Sequence, residues 1–150
     1  MVATDYPAPG VVESIHEVFT YNSIDAKCCA LEWGNEEDEK TVLSMLPSNE
    51  PGFSLVLIAE PLWQDTVPCH ASLAQSIRNL LSPTDSSFAL LTFCHRPNNV
   101  HKSEDDLAFF EVANKQFGLK SELILTECHE YYDVSDDETK IDVHLFKLWK

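Results

Sequence analysis

Residues 53–63 read FSLVLIAEPLW. From 53 to 59 only Ser54 is polar, and the run is too short for an ordinary helix, so it reads as a strand. A strand apolar on both faces belongs inside a parallel sheet that helices cover from each side. The stretch therefore predicts a central parallel strand, and it leaves that strand through an acid, a proline and a tryptophan: Glu60, Pro61 and Trp63.

The neighbouring segments alternate in the same sense. Downstream, HASLAQSIRNLL (70–81) carries apolar residues at 73, 77, 80 and 81, the spacing of one helical face, and the turn cluster SPTDSS ends it. A second doubly apolar strand, SFALLTFCH (87–95), follows. SEDDLAFFEVANKQFG (103–118) then predicts a helix with Ser103 as its cap, acids in the first turn and Gly118 as its stop. Upstream, VATD (2–5) reads as a short strand running into the proline-bounded turn of YPAPG. VVESIHEVFTY (11–21) follows it with Val11, Val12, Ile15, Val18 and Phe19 on one helical face. AKCCALEW (26–33) is a strand stopped by Gly34, and TVLSML (41–46) is a short helix after the charged EEDEK tract. The last two strands, LKSELILTECH (119–129) and IDVHLFKLW (141–149), are separated by a segment too short for a helical crossover, so they pair as an antiparallel hairpin. The fold class is α/β: alternating parallel strands and helices closed by that hairpin. Residues 1–150 form one domain with no linker.

Composition narrows the function. The chain has 150 residues, 44% of them hydrophobic, the content of a globular protein with a real core. No stretch approaches the roughly 20 apolar residues of a membrane span, and a cytoplasmic protein is the expectation. A net charge of -15 repels phosphate backbones, which argues against nucleic acid and for a basic partner. The acids cluster at 36–39, 104–106 and 133–138, where solvated surface is the expectation. Five cysteines without a CxxC pair suggest neither a disulfide framework nor a zinc site, and the histidines show no ligand spacing.

Ligands of open α/β sheets bind at the carboxyl ends of the strands. Standing there are Asp5 and Tyr6, Trp33 and Gly34, Ala59, Glu60, Pro61 and Trp63, and His95 with Arg96. An acid that accepts both ribose hydroxyls and an indole that stacks on a purine are what a nucleoside cofactor requires. Each also has a structural alternative: Asp5 as a turn cap, Trp33 as core, EPLW as a strand-exit turn, and His95 as a hydrogen-bonded loop residue.

The combination of ATDYP, ALEWGN, LVLIAEPLW and a terminal hairpin ending VHLFKLW resembles the seven-strand S-adenosylmethionine-dependent methyltransferases. Within them it is similar to the protein-lysine methyltransferase group, with its nicotinamide N-methyltransferase-like and elongation-factor methyltransferases. The resemblance runs over essentially all 150 residues and covers the C-terminal two-thirds of the family's domain. Its sharpest parts are the WG dipeptide (33–34) and the acid-x-x-aromatic motif (60–63).

The resemblance implies that Asp5 binds the ribose of S-adenosylmethionine, Trp33 lies beside the adenine and Ala59 lines the cofactor pocket. Glu60, where the family usually has Asp, and Trp63 would shape the substrate entrance and hold the target amine, the catalytic positions. It also implies a substrate amine on a basic protein, such as a translation elongation factor. The family's first strand and its Gly-rich loop have no counterpart, since the four glycines stand at 10, 34, 52 and 118 with no GxG. The chain therefore reads as an N-terminally truncated, Rossmann-like class I methyltransferase sheet. The missing strand would be central, so the sheet should split where it is lost and leave two edges unpaired. The alternative is a non-catalytic acidic module that binds a basic protein.

Overall fold

The computed structural model of this chain describes residues 1–94, 103–132 and 138–150. Six strands and four α-helices occur in these segments. They are β1 (Val2–Asp5), α1 (Val11–Tyr21), β2 (Lys27–Ala30), α2 (Glu36–Ser44), β3 (Leu55–Ala59), α3 (His70–Leu80), β4 (Phe88–Cys94), α4 (Ser103–Phe117), β5 (Lys120–Tyr132) and β6 (Glu138–Trp149). A 3-10 turn, Gln64–Cys69, precedes α3 and was not expected from the sequence.

The strands form two sheets. β1 and β2 pair in parallel, while β3, β4, β6 and β5 form a second sheet in that order. β3 and β4 are parallel, β6 runs antiparallel to β4, and β5 and β6 make the terminal hairpin. β1 and β3, between which a central strand was expected to be lost, thus lie in separate sheets.

The main core lies between the four-stranded sheet and α3 with α4. Ala89, Leu91 and Phe93 of β4 are fully buried, alternating with half-buried neighbours, against Ala74 and Ile77 of α3 and Phe109 and Ala113 of α4. Each leucine or phenylalanine buried there contributes about 1.5–3 kcal/mol. Phe110 stacks on Phe146 with ring centroids 4.0 Å apart, joining α4 to the hairpin. A smaller cluster of Leu31, Val42 and Leu80 takes in Val2, Cys29 and Phe53 and binds the two-stranded sheet to the rest.

Two expectations need correction. β3 is not central: it lies at the edge of its sheet, with Val56 and Ile58 packed on the core and Leu55 and Leu57 on the opposite face, 43% and 71% exposed. The composition of an interior strand is present without its second neighbour or its second covering layer. Nor is the acid run at 36–39 wholly solvated. Asn35 accepts the N–H groups of Glu37 and Asp38 and so starts α2 at Glu36, earlier than the apolar pattern suggested. That start turns Glu39 inward beside Val42, where it is buried. Asp106, in the second acid run, is buried too. Residues 133–137 of the third run lie outside the described residues, as does the side chain of Ser103, so its capping role is untested.

Candidate functional site

Asp5 is the last residue of β1, in register with Ala30 of β2, and its carboxylate is exposed. One carboxylate oxygen accepts the N–H of Tyr6 at 2.7 Å, a turn-capping contact. A carboxylate has four lone-pair positions and this bond occupies one, so the turn-capping contact leaves the rest open to solvent.

Trp33 is half-buried and belongs to both apolar clusters, so it serves as a packing joint between the two sheets. The glycine after it explains the WG pair. Gly34 has φ +80°, in the left-handed region that favours glycine, and a Cβ there would stand 3.0 Å from the Cβ and Oγ of Ser72 on α3. Its N–H donates to Ser76 Oγ at 2.8 Å. Ser76 Oγ in turn donates to Glu39 Oε1 at 2.7 Å, and Asn79 Nδ2 donates to Glu39 Oε2 at 2.7 Å. This network clamps the Trp33 turn and α2 onto α3. Sequence reading missed Glu39, Ser76 and Asn79, which are 37 and 40 residues apart in the chain and carry no local signal for pairing.

At the end of β3, Ala59 pairs with Thr92 of β4 and is exposed. Glu60 follows with φ +52°, a left-handed backbone that a non-glycine residue adopts only when its surroundings impose it. Its N–H donates to Thr92 O at 2.8 Å, and its Oε2 accepts the thiol of Cys94 at 3.5 Å. Pro61 and Leu62 are buried, with Leu62 in the main core, so this turn is anchored from within. Trp63 is 38% exposed. Its N–H donates to Thr66 Oγ1 at 2.9 Å, and that hydroxyl donates to Trp63 O at 2.8 Å, fixing the backbone that carries the indole. The arrangement is an exposed acid and a part-exposed aromatic on a rigid strand-exit turn, with Thr66 and Cys94 as supports that the sequence did not single out.

His95 and Arg96 lie outside the described residues. Among the described residues no group of three or more histidines, cysteines or acids could hold a metal ion, and no helix is long and apolar enough to cross a membrane. A cavity of about 570 Å³ opens between the sheets, but Met1, Val2, Lys27, Met45, Phe53, Ser54 and Leu55 are in its lining. Apart from Met45, which follows α2, these lie at the starts of β1, β2 and β3, the ends opposite Asp5, Ala59 and Glu60, so the predicted site residues do not share it.

No protein-family model and no curated protein matches the chain. Among solved structures it is similar to a SAM-dependent methyltransferase from Methanosarcina mazei, with a TM-score of 0.58 and 9% identity over 97% of this chain and 80% of that one. At that identity the likeness concerns the fold alone. The chain has a Rossmann-like α/β fold similar to that of a SAM-dependent methyltransferase, with parallel strands and a terminal antiparallel hairpin.

Proposed function

We propose that the chain serves S-adenosylmethionine-dependent methyl transfer to an amine of a basic protein, a translation elongation factor being the substrate class that the sequence resemblance suggests. The observation that carries this reading is the placement of Asp5 and of the Glu60–Trp63 turn. Both stand at carboxyl ends of strands, one in each sheet of a methyltransferase-like fold, where open α/β sheets take their ligands.

The residues fit the nucleoside end of such a cofactor. The exposed Asp5 carboxylate has acceptor positions left for vicinal hydroxyls, and Trp33 and Ala59 offer an aromatic and a small neighbour. They do not supply the other end, because none of the four glycines follows β1, β3 or β4 closely enough to let backbone approach a ligand there. When bound, the cofactor would supply a methyl group made electrophilic by the sulfonium sulfur that carries it, which would leave as a neutral thioether. The chain's own part is to align an attacking amine and keep it neutral. Trp63 walls the amine from water, and Glu60, held in its left-handed turn, accepts an N–H from it. The amine is the nucleophile, so none is required of the chain and no covalent intermediate with it forms. The surface charge of -15 favours encounter with a basic substrate, and the cytoplasm is the compartment where such a substrate would be met.

Isothermal titration with S-adenosylmethionine tests the reading. Binding at millimolar concentration or tighter is expected, weakened about tenfold in Asp5→Ala by loss of a charge-assisted hydrogen bond. Trp63→Ala should bind the cofactor as the parent does while transferring less labelled methyl to a purified basic translation factor. Absence of heat at millimolar cofactor overturns the proposal. The incomplete cofactor end favours a second reading, a non-catalytic module that holds a basic protein through the Trp63 turn. Capture of that protein without cofactor, lost in Trp63→Ala, would support it.

A further inference from the structure

The turn that carries Trp33 needs a glycine, and a glycine by itself fixes no conformation. A Cβ at Gly34 would meet Ser72 at 3.0 Å, yet a residue without one visits positive and negative φ about equally. The turn is therefore held by its hydrogen bonds. Leu31 donates its N–H to Asp5 O at 2.8 Å, Glu32 to Asp38 Oδ2 at 2.9 Å, and Asn35 to Glu32 O at 3.0 Å. These three bonds stay within β1, α2 and the turn itself. The Gly34 N–H crosses to α3, where it reaches Ser76 Oγ at 2.8 Å.

Ser76 can take that bond because Glu39 dictates where the hydroxyl proton goes. A carboxylate only accepts, so Ser76 Oγ donates to Glu39 Oε1 at 2.7 Å and keeps its lone pairs for Gly34. Asn79 holds the other carboxylate oxygen at 2.7 Å. Ser76 and Glu39 are 2% and 3% exposed, so water has little access to either bond. Trp33 stands one residue before the glycine, half-buried against both apolar clusters. Packing limits how deep the indole sits, while the Gly34 bond limits how the backbone beneath it can turn.

We propose that Ser76 is a positioning residue for nucleoside binding: through Gly34 it fixes the orientation of Trp33, and Glu39 fixes the orientation of Ser76. The proposal rests on the methyl-transfer reading above, in which Asp5 and Trp33 meet the nucleoside end of the cofactor. Neither Ser76 nor Glu39 touches the nucleoside. An aromatic wall gains from a purine only when the two planes are aligned. A turn left free to rotate at its glycine therefore forfeits affinity while the fold persists.

The experiment uses the 150-residue chain, with adenosine as the probe of the nucleoside end and S-adenosylmethionine beside it. Affinities are read by NMR chemical-shift titration under conditions where circular dichroism shows each variant folded. The parent should bind adenosine, and Ser76→Ala should bind it about tenfold more weakly. Ser76→Cys, close in volume but a weak donor and acceptor, should also lose affinity. Glu39→Gln keeps a carbonyl acceptor for Ser76 and should stay within about threefold of the parent. A double-mutant cycle separates positioning from general loosening. In a Trp33→Leu background, which keeps an apolar side chain between the clusters, Ser76→Ala should cost nothing further. A parent that binds neither ligand removes the methyl-transfer reading and this proposal with it. A parent that binds S-adenosylmethionine but not adenosine overturns this proposal alone. So does adenosine binding by Ser76→Ala or Ser76→Cys equal to the parent's, a loss in Glu39→Gln as large as in Ser76→Ala, or the same Ser76→Ala loss with Trp33→Leu in place.

Discussion

Replacing Glu39 should loosen the attachment of the two-stranded sheet, and the size of the effect follows from three hydrogen bonds. Glu39 is 3% exposed; one oxygen accepts from Ser76 and the other from Asn79, and Ser76 accepts from Gly34. In Glu39→Ala the Ser76 hydroxyl, itself 2% exposed, loses a charged acceptor, while the exposed Asn79 regains water. A hydrogen bond to a charged group is worth about 1.5–3 kcal/mol, and removing the buried carboxylate's own desolvation cost offsets part of the loss. A net destabilisation of about 2 kcal/mol is expected. Glu39→Gln keeps a carbonyl acceptor for Ser76, and an amide rotation at Asn79 restores the second bond, so its loss should stay under about 1 kcal/mol. With a urea dependence of about 2 kcal/mol per molar, the midpoint should fall by about 1 M in Glu39→Ala and by less than about 0.5 M in Glu39→Gln. Hydrogen exchange should then rise first at Lys27–Ala30, the strand held through this clamp. The reasoning is refuted if Glu39→Ala melts with the parent, or if Glu39→Gln falls as far as Glu39→Ala.

Two glycines with nearly equal φ separate backbone strain from steric contact. A Cβ at Gly34 meets Ser72 at 3.0 Å, and one at Gly10 meets nothing within 4 Å, so Gly34→Ala should lose about 1–2 kcal/mol more than Gly10→Ala in thermal melts. Equal losses would sink the assignment of the WG turn as a close-packed joint. The thiols should alkylate in an order set by exposure and ionisation: Cys69 and Cys128 first and Cys29 last, as read by peptide mapping after iodoacetamide at pH 8. Burial, then the neighbouring Cys28 and Asp38, pushes the Cys29 thiol above its usual 9.0. A raised thiol favours the protonated folded form, so its contribution to stability is complete below pH 9.0 and is lost as pH rises through the folded value. Cys29→Ser should flatten that alkaline decline in denaturant titrations, and an unchanged decline would assign it to another group.

The sequence by itself determined the elements and their order. His70–Leu80 lies where a period of 3.6 put it, because one buried face imposes that period on the local pattern; Val11–Tyr21 follows the same spacing although none of its residues is buried, and Phe88–Cys94 follows from its apolar run. The strand-end positions of Asp5, Ala59 and Glu60 followed from the same pattern, and the split in the sheet followed from the resemblance and its missing glycine loop. Only the tertiary structure decided what those elements meet. The apolar run of β3 reads as interior, yet it stands at an edge, since hydrophobicity records suitability for burial and says nothing of whether a neighbour is present. Glu39 reads as surface, yet it is buried, because its partners Ser76 and Asn79 come from another helix. Trp63 and Glu60 read as a motif, and their orientation comes from Thr66, Thr92 and Cys94. Periodicity is a property of neighbours in the chain, whereas edges, clamps and strained turns are properties of neighbours in space.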